Sequence, residues 1–445
     1  MTEKAIGYRG KALEMLKKAG AQVGDTLRVV KGEEVYEGIL IPRIETYDEN
    51  HVVLKLKSGY NVGIFITPNL KVEKIGEGSK PAFAAPALPK QKSRLPRVSL
   101  LSTGGTIASR VDYRTGGVRP ALSASDLYSV VPELADVAQI DAEILFSLFS
   151  ENIRPKEWTE LAKAVAKEIA KGVDGVVVAH GTDTMGYTAA ALSFALQSLP
   201  VPVVLVGSQR SADRPSSDAA SNLVAAVTVA ASAPFAEVVL AMHETVSDDF
   251  VAVHRGTKVR KCHTSRRDTF RSVNAMPIAR VQEEKTVSML TTDCHRRDSS
   301  SKLTLKPDFE EKVALVKFYP GLDPGVIDWY LKQDYKGIIL EGTGLGHVSK
   351  YCFDSIGRAV SEGLLVGMTS QCIWGRVDMN VYDSGRDLLA LGVIPLEDML
   401  PETALVKLMW VLGQTHDGEE AKKLLLSNVA GEFSPRTLLD RIGDG

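Results

Sequence analysis

Two short stretches carry residue types that can perform acyl-transfer chemistry. The first is Ser102-Thr103-Gly104-Gly105-Thr106-Ile107-Ala108, which follows the apolar run Val98-Ser99-Leu100-Leu101. That run reads as a buried strand. A double glycine after a strand lets the chain turn sharply and brings backbone N–H groups close to a ligand. The Thr106 hydroxyl is then expected at the carboxyl end of the first strand of an α/β unit, the edge at which open parallel sheets bind ligands. A hydroxyl beside free N–H donors is the minimum equipment for a nucleophile with an oxyanion site. A Gly-rich turn that does nothing but position a loop has the same sequence, so this stretch alone leaves both readings open. A nucleotide-phosphate loop is disfavoured, because neither G-x-G-x-x-G nor G-x-x-x-x-G-K-[ST] is present.

The second stretch is His180-Gly181-Thr182-Asp183-Thr184-Met185, directly after the strand-like run Gly175–Ala179. Asp183 and Thr184 would serve as ordinary helix caps. Yet the setting repeats the first: strand, glycine turn, hydroxyl, helix start. On adjacent parallel strands both turns would lie at one sheet edge. A third element is the basic run His254–Arg271, with seven Lys/Arg against Asp268 alone. A lysine drawn from it towards Asp183 and Thr182 would be tuned for proton transfer, since burial lowers a lysine's pKa and a carboxylate raises it. Thr182, Lys261 and Asp183 would then parallel a Ser-His-Asp relay with lysine in the place of histidine. The alternative is a solvated basic face, or one that touches nucleic-acid phosphates.

Positioning these residues requires a regular scaffold, and the composition supplies one. The 445 residues suggest two to three domains. Hydrophobic residues make up 44% and charged residues 24%, as in soluble globular proteins. A net charge of −2 gives no global attraction to nucleic acid or membrane. The start lacks a signal-peptide pattern and no apolar run reaches transmembrane length, so a cytoplasmic protein without a membrane contact is expected. Cys262, Cys294, Cys352 and Cys372 show no C-x-x-C spacing and read as reduced thiols. The Cys262-His263 and Cys294-His295 pairs do not chelate easily from a strand, where neighbours face opposite ways, and no metal site is assigned.

Along the chain, residues 8–19 read as a short amphipathic helix stopped by Gly20. Four β-like runs follow (Thr26–Val30, Val35–Ile41, His51–Lys57, Asn61–Ile66), as in a small SH3- or Sm-like barrel. From Met1 to Arg97 there are 17 Lys/Arg and 11 Asp/Glu, a mild basic bias that suits a solvated surface or an acidic partner. Residues 1–75 are therefore expected to form the barrel and residues 76–96, with four prolines, a semi-rigid linker. Strand-like and helix-like segments then alternate: helices Lys156–Lys171, Met185–Ser198 and Ser216–Ala231, strands Gly175–Ala179, Val201–Val206 and Glu237–Met242. This rhythm predicts a doubly wound α/β domain over 97–285. A polar, irregular segment gives a linker over 286–310, and a second α/β domain fills 311–445.

T-G-G-T-I-A (Thr103–Ala108) with H-G-T-D-T-M (His180–Met185) resembles the bacterial-type L-asparaginase/glutaminase family. V-G-S-Q-R (Val206–Arg210), D-R-P-S-S-D-A-A-S-N (Asp213–Asn222) and E-G-T-G-L-G-H-V (Glu341–Val348) extend the resemblance to most of the chain after Arg97. It implies an asparaginase-like α/β fold of two doubly wound parallel-sheet domains. It also implies hydrolysis of the side-chain amide of L-glutamine or L-asparagine through an acyl-threonine intermediate, with no cofactor in this chain. By the same resemblance Thr106 is the nucleophile and Tyr113, in D-Y-R-T-G-G, the loop tyrosine that helps activate it. Thr182, Asp183 and Lys261 are the second catalytic set, with Lys258 as an alternative lysine. Ser150 and Glu151, in F-S-E-N, fall where the family binds the substrate's α-carboxylate and α-amino group; the family often has Gln where Glu151 stands. Backbone groups at Gly105 and Gly181 are the candidate oxyanion donors.

The 95 or so residues before the first motif, and H-R-G-T-K-V-R-K-C-H-T-S-R-R-D-T-F-R-S-V-N, resemble the D-subunit family of archaeal glutamyl-tRNA(Gln) amidotransferases. That implies an ammonia-supplying subunit. Its separate E-subunit partner uses ATP and Mg²⁺ on Glu-tRNA(Gln), in a heterotetramer of two D and two E subunits built on a D homodimer. Asn380, Tyr382 and Asp383 would be placed to reach a neighbouring copy's site, or to form a surface loop. Two further readings stay open: a free L-asparaginase or glutaminase with an appended barrel, and a non-catalytic RNA or protein adaptor.

Overall fold

The computed structural model describes residues 7–43, 48–56, 61–77, 94–105, 107, 109–111, 118–120, 131–210, 217–282 and 285–437. Near the start, helix α1 (Gly10–Lys18) buries Ala12 and Leu16, one turn apart on one face. They pack on a coiled antiparallel sheet of β1 (Thr26–Lys31), β2 (Glu34–Leu40), β3 (His51–Leu56), β4 (Asn61–Phe65) and β5 (Lys71–Gly76), in the order β4-β3-β2-β1-β5. Alternation puts Leu27, Val29, Leu40, Val52, Leu54 and Ile64 inside, against the helix. The fifth strand was not expected. Its alternating K-V-E-K-I-G keeps Lys71, Glu73 and Ile75 exposed, so it lacks a buried apolar signature.

The chain then builds an eight-stranded sheet. In sequence order come β6 (Arg97–Gly104), the hairpin β7–β8 (Ser109–Val111, Val118–Pro120), β9 (Gln139–Leu148), helix α2 (Pro155–Ala170), β10 (Gly175–Ala179), helix α3 (Met185–Ala195), β11 (Leu196–Gln197), β12 (Val203–Val206), helix α4 (Ala219–Ser232), β13 (Val238–His243), β14 (Phe250–Arg255), the hairpin β15–β16 (Val259–Lys261, Phe270–Ser272), β17 (Ala279–Gln282), β18 (Val287–Met289) and β19 (Thr304–Leu305). The sheet order is β18-β17-β14-β13-β12-β10-β6-β9. From β13 to β9 all neighbours are parallel, whereas β14, β17 and β18 are antiparallel additions. The expected doubly wound parallel sheet is present as the five strands from β13 to β9, and three antiparallel strands extend it at one edge. Helix α4 covers one face and α2 with α3 the other, which is why Val176–Ala179 and Val203–Val206 are apolar and buried throughout.

The polar segment after residue 286, expected as a linker, is tied into this domain. Strand β18 closes the sheet edge, Phe235 bridges to Arg296, and β19 pairs with β11. Edge strands carry one solvated side, and Ser288 and Met289 leave β18 without a continuous apolar run. Helix α3, expected to reach Ser198, ends at Ala195, where Leu196–Gln197 turn into the β11–β19 pair.

The second α/β unit has a parallel sheet of β20 (Val313–Lys317), β21 (Gly337–Gly342), β22 (Leu365–Ser370) and β23 (Ile394–Pro395). Helices α5 (Gly325–Lys332), α6 (Phe353–Ser361), α7 (Asp383–Ala390), α8 (Pro401–Gln414) and α9 (Gly418–Leu426) complete it. Helix α8 packs on α3 of the first unit, and Trp410 stacks on Phe194 with ring centroids 5.8 Å apart. This explains why α3 is apolar all round: one side meets its own sheet and the other the neighbouring domain. No described helix is long and apolar enough to cross a membrane.

The α8 seam also buries a charge pair. Lys407 and Glu432 are both fully inaccessible, and Glu432 accepts backbone N–H groups of Val429 and Ala430, fastening the C-terminal segment. Removing one member of a buried pair leaves the other uncompensated, at a cost of about 3–5 kcal/mol. Lys407→Met should lose stability on that order in denaturant unfolding. The double variant Lys407→Met/Glu432→Gln should recover part of it.

Candidate active site

Strands β6 and β10 are parallel neighbours in the register Ser102↔Ala179, so the turns that follow them share the carboxyl edge of the sheet. Thr103 strengthens the junction by donating from Oγ1 to the Ala179 carbonyl at 3.0 Å. The chain leaves β6 through Gly104 (φ +118°) and Gly105 (φ +80°), a backbone that side chains rarely adopt. A Cβ at Gly105 would lie 2.8 Å from the Gly181 nitrogen, and one at Gly181 only 2.9 Å from Ser150 Cβ and Oγ. Gly105, Gly181 and Ser150 therefore meet at van der Waals contact. Thr106 and Tyr113 lie outside the described residues, and Gly105 brings the chain to the edge of this junction.

Ser150 is buried at the start of a single 3₁₀ turn, Ser150–Asn152, and its carbonyl accepts from Thr184 Oγ1 at 2.7 Å. Glu151, next to it, is exposed. One residue after Gly181, Thr182 receives a hydrogen bond from Lys261 Nζ at 2.9 Å, and the same ammonium donates to Asp183 Oδ1 at 2.7 Å. The Lys261 side chain is 16% exposed and that of Asp183 68% exposed, so the triad opens to solvent on the carboxylate side. Lys261 arrives from the β15–β16 hairpin, which crosses the open end of the parallel strands with Lys261 paired to Phe270. Lys258, the alternative lysine, is turned away into a buried ion pair with Asp398 at 2.7 Å. Geometry thus separates two lysines that the basic run alone left equivalent.

A supporting layer includes His180, Asp218 and Asn222, motif residues to which the sequence assigned no role. His180 is buried, its Nδ1 lies 2.6 Å from the Gly181 carbonyl and its Nε2 2.9 Å from Thr188 Oγ1. Trp158 Nε1 donates to Thr188 at 3.1 Å. A carbonyl only accepts, so Nδ1 carries the proton and Thr188 donates to Nε2; this tautomer is assigned from the network. Burial pushes the His180 pKa down to about 4, so the ring is neutral near pH 7. Around Thr182, Gly207 is equally close: a Cβ there would sit 2.8 Å from Thr182 Cγ2. The turn after Gly207 is held by buried Asp218, which accepts from the backbone nitrogens of Gln209 and Arg210 and from Asn222 Nδ2. Asn222 in turn meets His243 Nδ1 at 2.6 Å, and His243 meets Asp248, which pairs with Arg267 of the β15–β16 loop. The D-x-x-x-N spacing of Asp218 and Asn222 at a helix start was the available signal.

The rest of the basic run is paired with carboxylates, within it and beyond it: Arg266 and Arg271 flank Asp268, and Arg260 faces Glu402 at 3.3 Å. Among the described residues there is no group of three or more His, Cys, Asp or Glu placed to hold a metal ion. The four cysteines are unpaired. Asn380 and Tyr382 sit on an exposed segment before α7, with Tyr382 edge-on to His347, and Asp383 begins that helix.

The buried His180 links this site to acid stability. The unfolded ring takes a proton near pH 6.5 and the folded one near pH 4, so the unfolded state binds more protons between them. Stability from a neutral His180, complete above about pH 6.5, is therefore lost as the pH falls towards about 4. His180→Asn is expected to flatten the fall of stability across this window, measured by denaturant unfolding at a series of pH values.

Three family models match this chain: "Asparaginase, N-terminal" over residues 97–293, "Glutaminase/Asparaginase C-terminal domain" over 312–425 and "GatD N-terminal domain" over 21–75. The chain is 53% identical over 436 residues to the D subunit of glutamyl-tRNA(Gln) amidotransferase from Metallosphaera sedula, covering 98% of both. It is 52% identical to the protein of the same name from Pyrococcus furiosus, covering 95% of this chain and 98% of that one. Among solved structures, the thermostable L-asparaginase from Thermococcus kodakarensis matches with a TM-score of 0.69 and 34% identity, over 76% of this chain and 100% of its own. L-asparaginase I from Vibrio cholerae matches with a TM-score of 0.67 and 29% identity, over 76% of this chain and 99% of its own. The asparaginases leave about a quarter of the chain without a counterpart, whereas the amidotransferase proteins leave almost none. Similarity of that extent means that the chain belongs to the family of glutamyl-tRNA(Gln) amidotransferase D subunits.

Proposed function

We propose that this chain releases ammonia from the side-chain amide of L-glutamine, with L-asparagine as the chemically closest substitute, and supplies it to a partner subunit that converts Glu-tRNA(Gln) to Gln-tRNA(Gln). The observation that carries the chemistry is the Lys261 ammonium held between Thr182 Oγ1 and Asp183 Oδ1, beside the Gly105–Gly181 contact. Coverage of nearly the whole chain by its amidotransferase relatives, against about three quarters by the asparaginases, favours the coupled role over a free amidohydrolase.

The first half-reaction is attack of Thr106 Oγ on the amide carbonyl, with Tyr113 assisting. The developing oxyanion is stabilised by backbone N–H groups at Gly105 and Gly181, whose glycine conformations allow close approach. Collapse breaks the C–N bond. The amide leaves as ammonia after taking up the proton that Thr106 gives up, relayed through the Thr182–Lys261–Asp183 set. In the second half-reaction a water adds to the acyl-threonine, its proton returns to Thr106, and glutamate departs. Lys261 donates in the geometry observed, and it accepts only after passing its proton on. Asp183 keeps the cation in place throughout. Ser150 and Glu151 hold the substrate's α-carboxylate and α-amino group at the junction with Gly181. None of these steps draws on a metal or organic cofactor in this chain.

Activation of the tRNA-bound glutamate, with its ATP and Mg²⁺, belongs to the E-type partner. A cytoplasmic heterotetramer of two copies of each chain fits this division, with Asn380, Tyr382 and Asp383 facing the neighbouring copy. Thr106→Ala, assembled with the partner, should lower glutamine-dependent amidation of Glu-tRNA(Gln) by about 10³-fold or more. Amidation with added ammonia should stay at the unaltered rate. Loss of both activities in a folded, assembled variant would contradict the division of labour.

A further inference from the structure

Both roots of the hairpin that carries Lys261 are fastened to a single residue of the second α/β unit. At the incoming root, three residues before Lys261, Lys258 Nζ donates to Asp398 Oδ2 at 2.7 Å, with side-chain exposures of 1% and 2%. At the outgoing root, Asn274 Nδ2 donates to the Asp398 carbonyl at 3.0 Å and to the Gly375 carbonyl at 2.9 Å, while its Oδ1 accepts from Gly375 N at 2.8 Å. The roots are joined to each other where Val273 N donates to the Lys258 carbonyl at 2.8 Å. The C-terminal segment closes the arrangement. Ser434 N donates to Asp398 Oδ1 at 3.0 Å and Ser434 Oγ to the Asn274 carbonyl at 3.2 Å.

This construction is costly for mere cohesion. Burial pushes the Lys258 pKa down even against the pull of Asp398. A buried pair contributes little that well-packed apolar side chains would not. The two units already share an apolar seam at α3 and α8. What an ion pair adds is direction: it admits one register and one height for the strand that leaves it. Three residues of strand span about 10 Å, so a small tilt at Lys258 is carried directly to the Lys261 backbone.

We propose that Asp398 is a positioning residue for ammonia release, acting through Lys258 and Asn274 to set Lys261 Nζ against Thr182 and Asp183. The second α/β unit thereby controls the catalytic competence of a site built on the first. This rests on the reading of Lys261 as a participant in the reaction.

The test uses the assembled complex with the E-type partner and Glu-tRNA(Gln), measuring kcat and KM for L-glutamine and the thermal midpoint. Lys258→Met/Asp398→Leu replaces the pair with apolar side chains and should leave KM near that of the unaltered complex, with the midpoint lowered only by loss of the acceptor for Ser434 N. Its kcat should fall about 10- to 100-fold, the cost of a misplacement of about 1 Å. Lys258→Arg, which keeps the cation, should retain most of kcat. Asn274→Gly, which tolerates the φ of +57° at that position, loosens the outgoing root alone and should lower kcat with KM unchanged. It serves if the double variant does not fold. Unaltered kcat in a folded double variant, or in Asn274→Gly, overturns the proposal. Lys261→Met separates the two claims: if it keeps glutamine-dependent activity, the reading of the site itself fails.

Discussion

A single ammonium group organises this molecule. Lys261 Nζ satisfies Thr182 and Asp183 together, at 2.9 and 2.7 Å. As stabilisation the contact is worth little, because Asp183 is largely exposed and water screens such a pair. Its value is geometric. A parallel sheet ends in turns that present hydroxyls and N–H groups but no cation. The cation must come from a segment that folds back over the sheet's open edge. The antiparallel strand β14 and the β15–β16 hairpin do this. They are the antiparallel departure from the parallel sheet, and they bring Lys261 to its open edge.

The features that position the hydroxyls were legible in the sequence, and those that position the lysine were less so. Buried parallel strands are continuous apolar runs, so Val176–Ala179 and Val203–Val206 declared themselves, as did the glycine turns after them. Helix α3, with its alanines, was recognisable, but its end was set by a β pair to Thr304–Leu305, more than a hundred residues away. Strands β5 and β18 escaped notice because each lies at a sheet edge, where polar residues are tolerated on the exposed side. Lys258 and Lys261 stand in the same basic run with similar neighbours. Only the fold reveals that one is neutralised by Asp398, 140 positions away, and the other by Asp183.

The supporting groups follow a common logic. His180, Thr188 and Trp158 fix the Gly181 carbonyl; Asp218 and Asn222 fix the turn at Gly207; Asp248 and Arg267 tie the far end of the hairpin to the same network. Apart from the exposed Asp248, these side chains are largely removed from water, and hydrogen bonds satisfy them as burial demands. Their shared effect is to hold three turns from distant parts of the chain at contact distance, so that little reorganisation is left for the moment of reaction.

In the proposed reaction the threonine after the double glycine carries the acyl group while the Thr182–Lys261–Asp183 set moves protons. The most direct measurement is to quench the assembled complex with acid during turnover on glutamine and Glu-tRNA(Gln), then map covalent adducts by mass spectrometry of its peptides. A glutamyl ester on Thr106, disappearing when glutamine is exhausted, is the predicted result. An ester on Thr182, or turnover with no ester on either threonine, would contradict it.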